Sequence, residues 1–388
     1  MNKSLPTSNS QCPLDPASPS VHALQGLLRR SLARRVQNIP DVHSRSADGA
    51  NVAILFSGGL DCTVLARLAH ELLPADEPID LLNVAFENPR VSASFEAAAR
   101  KAKKDNNQQQ HPPPSLTAPL ACSLYEACPD RKTGRSSYNE LRTVCPGRKW
   151  RFVRINVPYT ETCAHRDEIK RLLRPHNTEM DLSIACALYF ASRGVGEVDV
   201  EDNNSNSNSG NHNSSIVSTT HTTTASVLLS GLGADELFAG YTRHSTAFTR
   251  RGYAGLIDEI ELDVGRLGKR NLGRDDRVLS HWGRETRYPF LDEELVAWAV
   301  QIPVWEKCGF SHNDGKTGDD GTITTPRDVA AGGSESVLDL DAEKQVLRLV
   351  AWNLDMKHVA REKKRAIQFG ARTAKMESGK SKGTTVIL

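Results

Sequence analysis

Six residues, Phe56-Ser57-Gly58-Gly59-Leu60-Asp61, constrain this chain more than any other stretch. They follow the apolar run Val52-Ala53-Ile54-Leu55 and precede a segment with Val64, Leu65, Leu68 and Leu72 on one helical face. That order reads as strand, tight glycine turn, helix. Glycines let the backbone approach an anion closely, and a new helix offers it free N–H groups and the positive end of its dipole. Ser57 adds a hydroxyl donor, and Asp61 a hard oxygen ligand suited to Mg²⁺. No Gly-Lys-Ser/Thr follows, so this is not the phosphate loop that carries a lysine. The plain alternative is an ordinary glycine turn in an α/β domain.

The chain has 388 residues, 38% of them apolar and 25% charged, which suits a soluble globular protein of one or two domains. A net charge of +2 argues neither for nor against a nucleic-acid partner, and none is expected. No apolar run reaches the length of a membrane span, and the first residues carry no signal-peptide core, so no membrane partner is expected either. Eight cysteines are scattered without a Cys-x-x-Cys pair, which disfavours zinc and reads as reduced thiols in a cytoplasmic protein. Cys62, at a helix start beside Asp61, is either a thiol of lowered pKa or a small residue filling the turn.

Further along, the pattern alternates. Residues 1–20 are polar and read as a disordered tail, and 376–388 as a second tail. Residues 21–36 space Val21, Leu24, Leu27, Leu28, Leu32 and Val36 as an amphipathic helix with arginines on its other faces, or alternatively as a transit helix. Strands are expected near 51–56, 80–86, 150–157 and 227–229, and helices near 62–73, 161–173 and 181–193. Polar inserts near 101–118, 202–224 and 311–335 should loop out of a single domain spanning 21–375. The fold class that follows is α/β, a doubly wound parallel sheet with a helical C-terminal part and ligands at the carboxyl ends of the strands.

A second glycine turn, Ser230-Gly231-Leu232-Gly233-Ala234-Asp235-Glu236, ends the strand at 227–229 and leads to Gly240-Tyr241. It should share a sheet edge with the first. Its carboxylates suit a metal at a pyrophosphate. Downstream, Arg287 in Arg287-Tyr-Pro-Phe-Leu-Asp292 can pair with Asp292 or with phosphate. Lys344 and Arg348 share a helix face at i, i+4 spacing. Lys344 is either a surface lysine or a charge aimed into the cleft. The run Arg361-Glu-Lys-Lys-Arg365 reads as a solvated helix end near the cleft, or as a localisation or nucleic-acid patch. Asp275-Asp276 between Arg274 and Arg277 reads as a local ion-pair network.

The Ser-Gly-Gly-x-Asp loop resembles that of the ATP pyrophosphatases (adenine nucleotide α-hydrolase-like folds). The segments taken in order resemble the synthetase domain of glutamine-dependent asparagine synthetases. Three stretches look closer still to the eukaryotic asparagine synthetase domain-containing proteins: 77–86, Asn271–Arg277 and Arg365–Gly370. The resemblance implies ATP and Mg²⁺ as cofactors, with aspartate and ammonia as small-molecule substrates in asparagine biosynthesis. Phe56, Ser57, Gly58, Gly59 and Asp61 would line the ATP site, Ala85 would touch the adenine, and Ser230 and Gly231 would hold the nucleotide from the other side. Asp61 and Asp235 would bind Mg²⁺ and pyrophosphate, with Asp235 and Lys344 at the reaction centre.

Two departures from that family stand out. Leu232 replaces a glutamate used around the aspartyl-adenylate, and an isobutyl group neither accepts a proton nor pairs with an ammonium. The chain also opens Met1-Asn2-Lys3, without the cysteine that begins the family's glutaminase domain. Ammonia would then arrive free or from a separate glutaminase chain, unless the reading frame is truncated. The readings that follow are an ATP-dependent amide ligase, a nucleotide-binding pseudoenzyme or interaction protein that has lost synthesis, and adenylation of another acceptor such as a tRNA base.

Overall fold

The computed structural model describes residues 1–6, 13–40, 48–94, 124–201, 216–311, 340–376 and 382–387. The insert expected at 101–118 lies outside them, as do residues 202–215 of the second insert and 312–335 of the third.

Seven strands form one sheet in the order β5-β4-β3-β2-β1-β6-β7. They are β1 (Val52–Leu55), β2 (Ile79–Phe86), β3 (Trp150–Val157), β4 (Val195–Glu201), β5 (Ile216–Thr222), β6 (Val227–Leu229) and β7 (Glu285–Arg287). β1, β2, β3, β6 and β7 pair in parallel, while β4 pairs antiparallel with both β3 and β5. β2 is buried along its whole length, as a parallel strand covered on both faces must be. From β1 the chain builds outward to β2 and β3, then returns to place β6 on the other side of β1. This reversal opens a crevice at the carboxyl ends of β1 and β6, where the two glycine turns begin.

The sheet's pleat divides the core. Val52, Ile54 and Ile79 face one apolar layer, which includes α1 (Pro19–Val36), α2 (Leu60–Leu72) and α10 (Gln345–Asn353). Ala53, Leu82 and Ile155 face the other, with α4 (Tyr159–Leu173), α5 (Glu179–Arg193) and α8 (Gly273–Leu279). α1 buries Val21, Leu24, Leu28, Leu32 and Val36 of the expected stripe and leaves Leu27 partly buried at its edge. Two of its arginines do more than solvate a surface: Arg34 and Arg35 both grip Asp292, Arg35 at 2.9 Å.

Two strand expectations need correction. The end of the tract expected to loop out, residues 216–222, is β5, paired with β4 from Val195↔Thr222 to Glu201↔Ile216. Its polarity hid a run of β-branched residues, Ile216-Val217-Ser-Thr-Thr-His-Thr222, that fits a half-exposed sheet edge. The sheet is therefore mixed, not purely parallel. β7 was also missed, because three residues inside a polar segment carry no periodicity. Both expected tails make specific contacts among the described residues. The Asn2 N–H donates to the Val300 carbonyl (2.6 Å), and the Glu179 N–H to that of Thr385 (2.9 Å).

Candidate active site

The first glycine turn is held from beneath. The Phe56 N–H donates to Leu82 (2.9 Å), and the Asn83 side chain donates to both the Phe56 and Asp130 carbonyls (2.9 Å each). The fully buried Arg131 donates to the Asn83 side chain at 2.7 Å. This buried network ties the start of α3 (Pro129–Val144) to the turn. Gly58 has φ +80°, and a Cβ there would lie 2.4 Å from the Gly134 nitrogen. So this glycine serves helix packing: α3 presses on the loop, and Ser137 donates to the Gly58 carbonyl at 2.7 Å. Gly59 then caps α2, leaving the first N–H groups of that helix facing the crevice.

The second turn comes directly against the first. A Cβ on Gly231 would stand 2.9 Å from the Asp61 Cβ. Asp235, in the short helix α6 (Ala234–Leu237), and Asp61 converge on one ammonium group. Lys344 Nζ lies 2.7 Å from Asp61 Oδ1 and 2.9 Å from Asp235 Oδ1. Lys344 is buried and left-handed, with φ +55°, a conformation that costs a lysine about 1–2 kcal/mol. Its N–H donates to Phe238 (3.1 Å), which fixes the backbone just before α10 and sends the side chain between the two loops. Lys364 binds Asp235 from the opposite side. Burial alone would raise the Asp235 carboxyl, but Lys344 and Lys364 outweigh it and hold Asp235 well below the usual carboxylate range. Burial would lower Lys344, but Asp235 and Asp61 outweigh it and raise Lys344 above an ordinary lysine.

A cavity of about 390 Å³ opens over these groups. Phe56, Ser57, Gly59 and Asp61 line it on one side, and Ser230, Gly231, Leu232 and Asp235 on the other. Leu82, Val84, Ile184 and Leu188 give one end an apolar wall. A smaller adjoining pocket of about 60 Å³ lies against Ser57, Gly59 and Asp61, walled by Lys344, Arg348, Lys363, Lys364 and Arg365. Arg348 sets this wall by donating to the carbonyls of Ala360 (2.7 Å) and Glu362 (2.9 Å). The arrangement is an apolar slot leading to helix N–H groups, two carboxylates and a basic rim.

The sequence comparisons agree with this geometry. A family profile described as asparagine synthase matches residues 213–259 and 251–381, which include Ser230–Asp235 and Lys344. The chain is 39% identical over 92% of its length to asparagine synthetase domain-containing protein 1 of Bos taurus and 40% identical over 84% to that of Homo sapiens. It is 32% identical over 94% to an asparagine synthetase domain-containing protein of Saccharomyces cerevisiae. Residues 213–381 belong to the asparagine synthase family. The chain spans about half the length of the curated relatives it matches: 52%, 46% and 55% of theirs.

Most of the residues singled out from the sequence meet in one crevice. Lys344 lines only the smaller pocket, and two residues reach neither. Gly58 is turned into the α3 contact, and Ala85 is fully buried while its neighbour Val84 takes the wall. Arg287 does not pair with Asp292. It holds Glu285 (2.9 Å) and the Arg35 carbonyl (2.6 Å), so the Arg-x-Pro-Phe-Leu-Asp segment fastens α1 and lies outside both pockets. Arg274 does pair with Asp275, and also reaches Asp181 at 2.7 Å. Cys62 is no activated thiol: burial pushes its pKa up. The basic run follows the short helix α11 (Lys357–Ala360) as expected, and its Lys364 and Arg365 line the cavity.

Asp130 escaped notice in the sequence. It lines both pockets with its side chain packed against Gly370, and its nearest cation is Arg365 at 3.9 Å. Burial pushes its carboxyl up to about 7, against the weaker pull of Arg365 and Lys364. A carboxyl raised on folding stabilises the fold fully only below its unfolded value, and that stabilisation is lost as pH rises through the folded value. Thermal midpoints should therefore decline between about pH 4 and pH 7 by a component that Asp130→Asn removes. Equal slopes in the two proteins would refute the assignment.

Proposed function

We propose that this chain is an ATP-dependent amide ligase of the asparagine-synthetase type, built on an ATP-pyrophosphatase-like sheet. One observation carries the reading: Asp61 and Asp235, from two separate glycine turns, converge on a single cation beneath a nucleotide-sized cavity. Two hard carboxylates that converge on one cation fit Mg²⁺, which would take the position that the Lys344 ammonium group shares with them. A Mg²⁺ ion held by Asp61 and Asp235 would neutralise the phosphates of bound ATP.

The rest falls to the chain's own residues. The apolar wall of Leu82, Val84, Ile184 and Leu188 receives the base, and the N-terminus of α2 receives the phosphates. A substrate carboxylate attacks the α-phosphorus, and pyrophosphate leaves toward Lys363, Lys364 and Arg365. Lys344 stabilises the charge that develops between the loops. Ammonia then attacks the acyl carbon, AMP leaves and the nitrogen sheds a proton, giving amide. Aspartate and ammonia are the reactants that kinship implies, and the ammonia would be free or delivered by a glutaminase.

Leu232 supports a second reading, a nucleotide-binding protein without synthesis, because the cavity has an isobutyl group where the family has a carboxylate. AMP release separates the two readings. The ligase reading expects AMP and pyrophosphate to form only with Mg²⁺-ATP, an acid and ammonia, and to drop about 10²–10³-fold in Asp61→Ala. ATP binding with no acid-dependent AMP favours the second.

A further inference from the structure

Another part of the cavity lining consists of Leu232, Tyr241, Leu267, Arg270 and Asn271. Arg270 stands on a π-helical turn, Gly268–Leu272, that links α7 (Thr242–Leu267) to α8. Such turns displace the helix register and are common at functional positions.

The charges around this part are almost all matched. Asp263 is bound by Arg243 (2.5 Å), Arg266 (2.6 Å) and His244 (2.9 Å). Asp275 is held by Arg274 at 2.7 Å. Glu236 Oε1 accepts from Tyr241 and from Asn271, both at 2.6 Å. Asp61 and Asp235 share Lys344. Arg270 alone among the cavity-lining arginines forms no ion pair or hydrogen bond with any described residue. A cation left uncompensated in a concave site is a receptor for an anion, and a guanidinium suits a carboxylate in bidentate geometry. In the same part Leu232 offers nothing to an ammonium group.

We infer that the acceptor is a dicarboxylic acid that carries no ammonium group, one carboxylate being activated and the other bound by Arg270. This rests on the ligase reading for the site's chemistry but not for its charge pattern. Aspartate carries an ammonium that Leu232 cannot match, whereas succinate is the same skeleton without it.

The test is equilibrium binding to the full chain loaded with Mg²⁺ and α,β-methylene-ATP, with succinate against aspartate and glutarate against glutamate. The deaminated acid of at least one pair should bind more than tenfold tighter than its amino acid. Arg270→Ala should weaken it by about tenfold or more, Arg270→Lys should restore part of the loss, and Leu232→Glu should shift preference toward the amino acid. Thermal midpoints of the variants confirm folding. Tighter binding of the amino acids, indifference to Arg270, or binding of no acid at millimolar concentration would each overturn the inference. Arg270-dependent binding without AMP release from ATP would instead remove the ligase reading and leave this one standing.

Discussion

Lys344→Ala should abolish most of the chain's nucleotide chemistry and also destabilise its nucleotide-free form. The ammonium group is buried and lies 2.7–2.9 Å from two carboxylates. Removing one partner of a buried pair costs about 3–5 kcal/mol, because the remaining charges lose their compensation. Here Asp61 and Asp235 would be left facing each other, with only Lys364 on the second. The expected result is a large fall in thermal midpoint that millimolar Mg²⁺ partly reverses, since a divalent cation can take the place of the lost charge. Acid-dependent turnover should drop about 10²–10³-fold and not recover with Mg²⁺, because the lysine acts on charge that develops during the reaction. Thermal shift with and without Mg²⁺ separates the two effects. A variant that melts like the parent and ignores Mg²⁺ would show that the two aspartates do not share a cation.

Gly58→Ala and Gly59→Ala, adjacent and chemically identical changes, should differ sharply. At Gly58 the added methyl would meet Gly134 N at 2.4 Å, Gly134 Cα at 2.5 Å and Thr133 C at 2.5 Å. All three are backbone atoms of α3, which cannot move aside without breaking the Ser137 bond to the Gly58 carbonyl. A left-handed alanine costs about 1–2 kcal/mol, and overpacking about 1–3 kcal/mol. The sum, about 2–5 kcal/mol, is enough to unfold many domains. At Gly59 the nearest atom is Ser57 Oγ at 3.4 Å, and no positive φ is involved. That substitution should cost stability little and weaken nucleotide binding instead, because the methyl stands where phosphate approaches. Urea midpoints with ATP titrations distinguish them. Equal loss of stability in both would contradict the packing role given to Gly58.

The core of the fold was readable because its signals are local. The apolar run at 52–55, the glycines after it and the period of Val64, Leu65 and Leu68 specify strand, turn and helix within twenty residues. What sequence reasoning missed depends on contacts between distant segments. Arg287 was matched with Asp292, five residues on, yet Asp292 is gripped by Arg34 and Arg35 of α1. The burial of Asp130 comes from Gly370, 240 residues downstream, so no local pattern announces it. Arg270 looks like any surface arginine until the charges around it are matched and it remains. β5 was hidden because its polarity was weighed more heavily than its β-branching. Lys344 and Arg348 do not share the helix face expected at i, i+4 spacing, because Lys344 is left-handed and stands just before α10, a conformation that leaves no mark in the sequence.

The measurement that tests the central claim most directly is isotope exchange between labelled pyrophosphate and ATP, catalysed by the full chain with Mg²⁺. It reads adenylation alone and needs no ammonia source. Exchange should require a carboxylic acid, should vanish in Asp61→Ala, and should fall about 10²–10³-fold in Lys344→Ala. If ATP binds at the Ser57 loop and none of the carboxylic acids supports exchange, the convergence of Asp61 and Asp235 on Lys344 serves nucleotide binding only, and the ligase account fails.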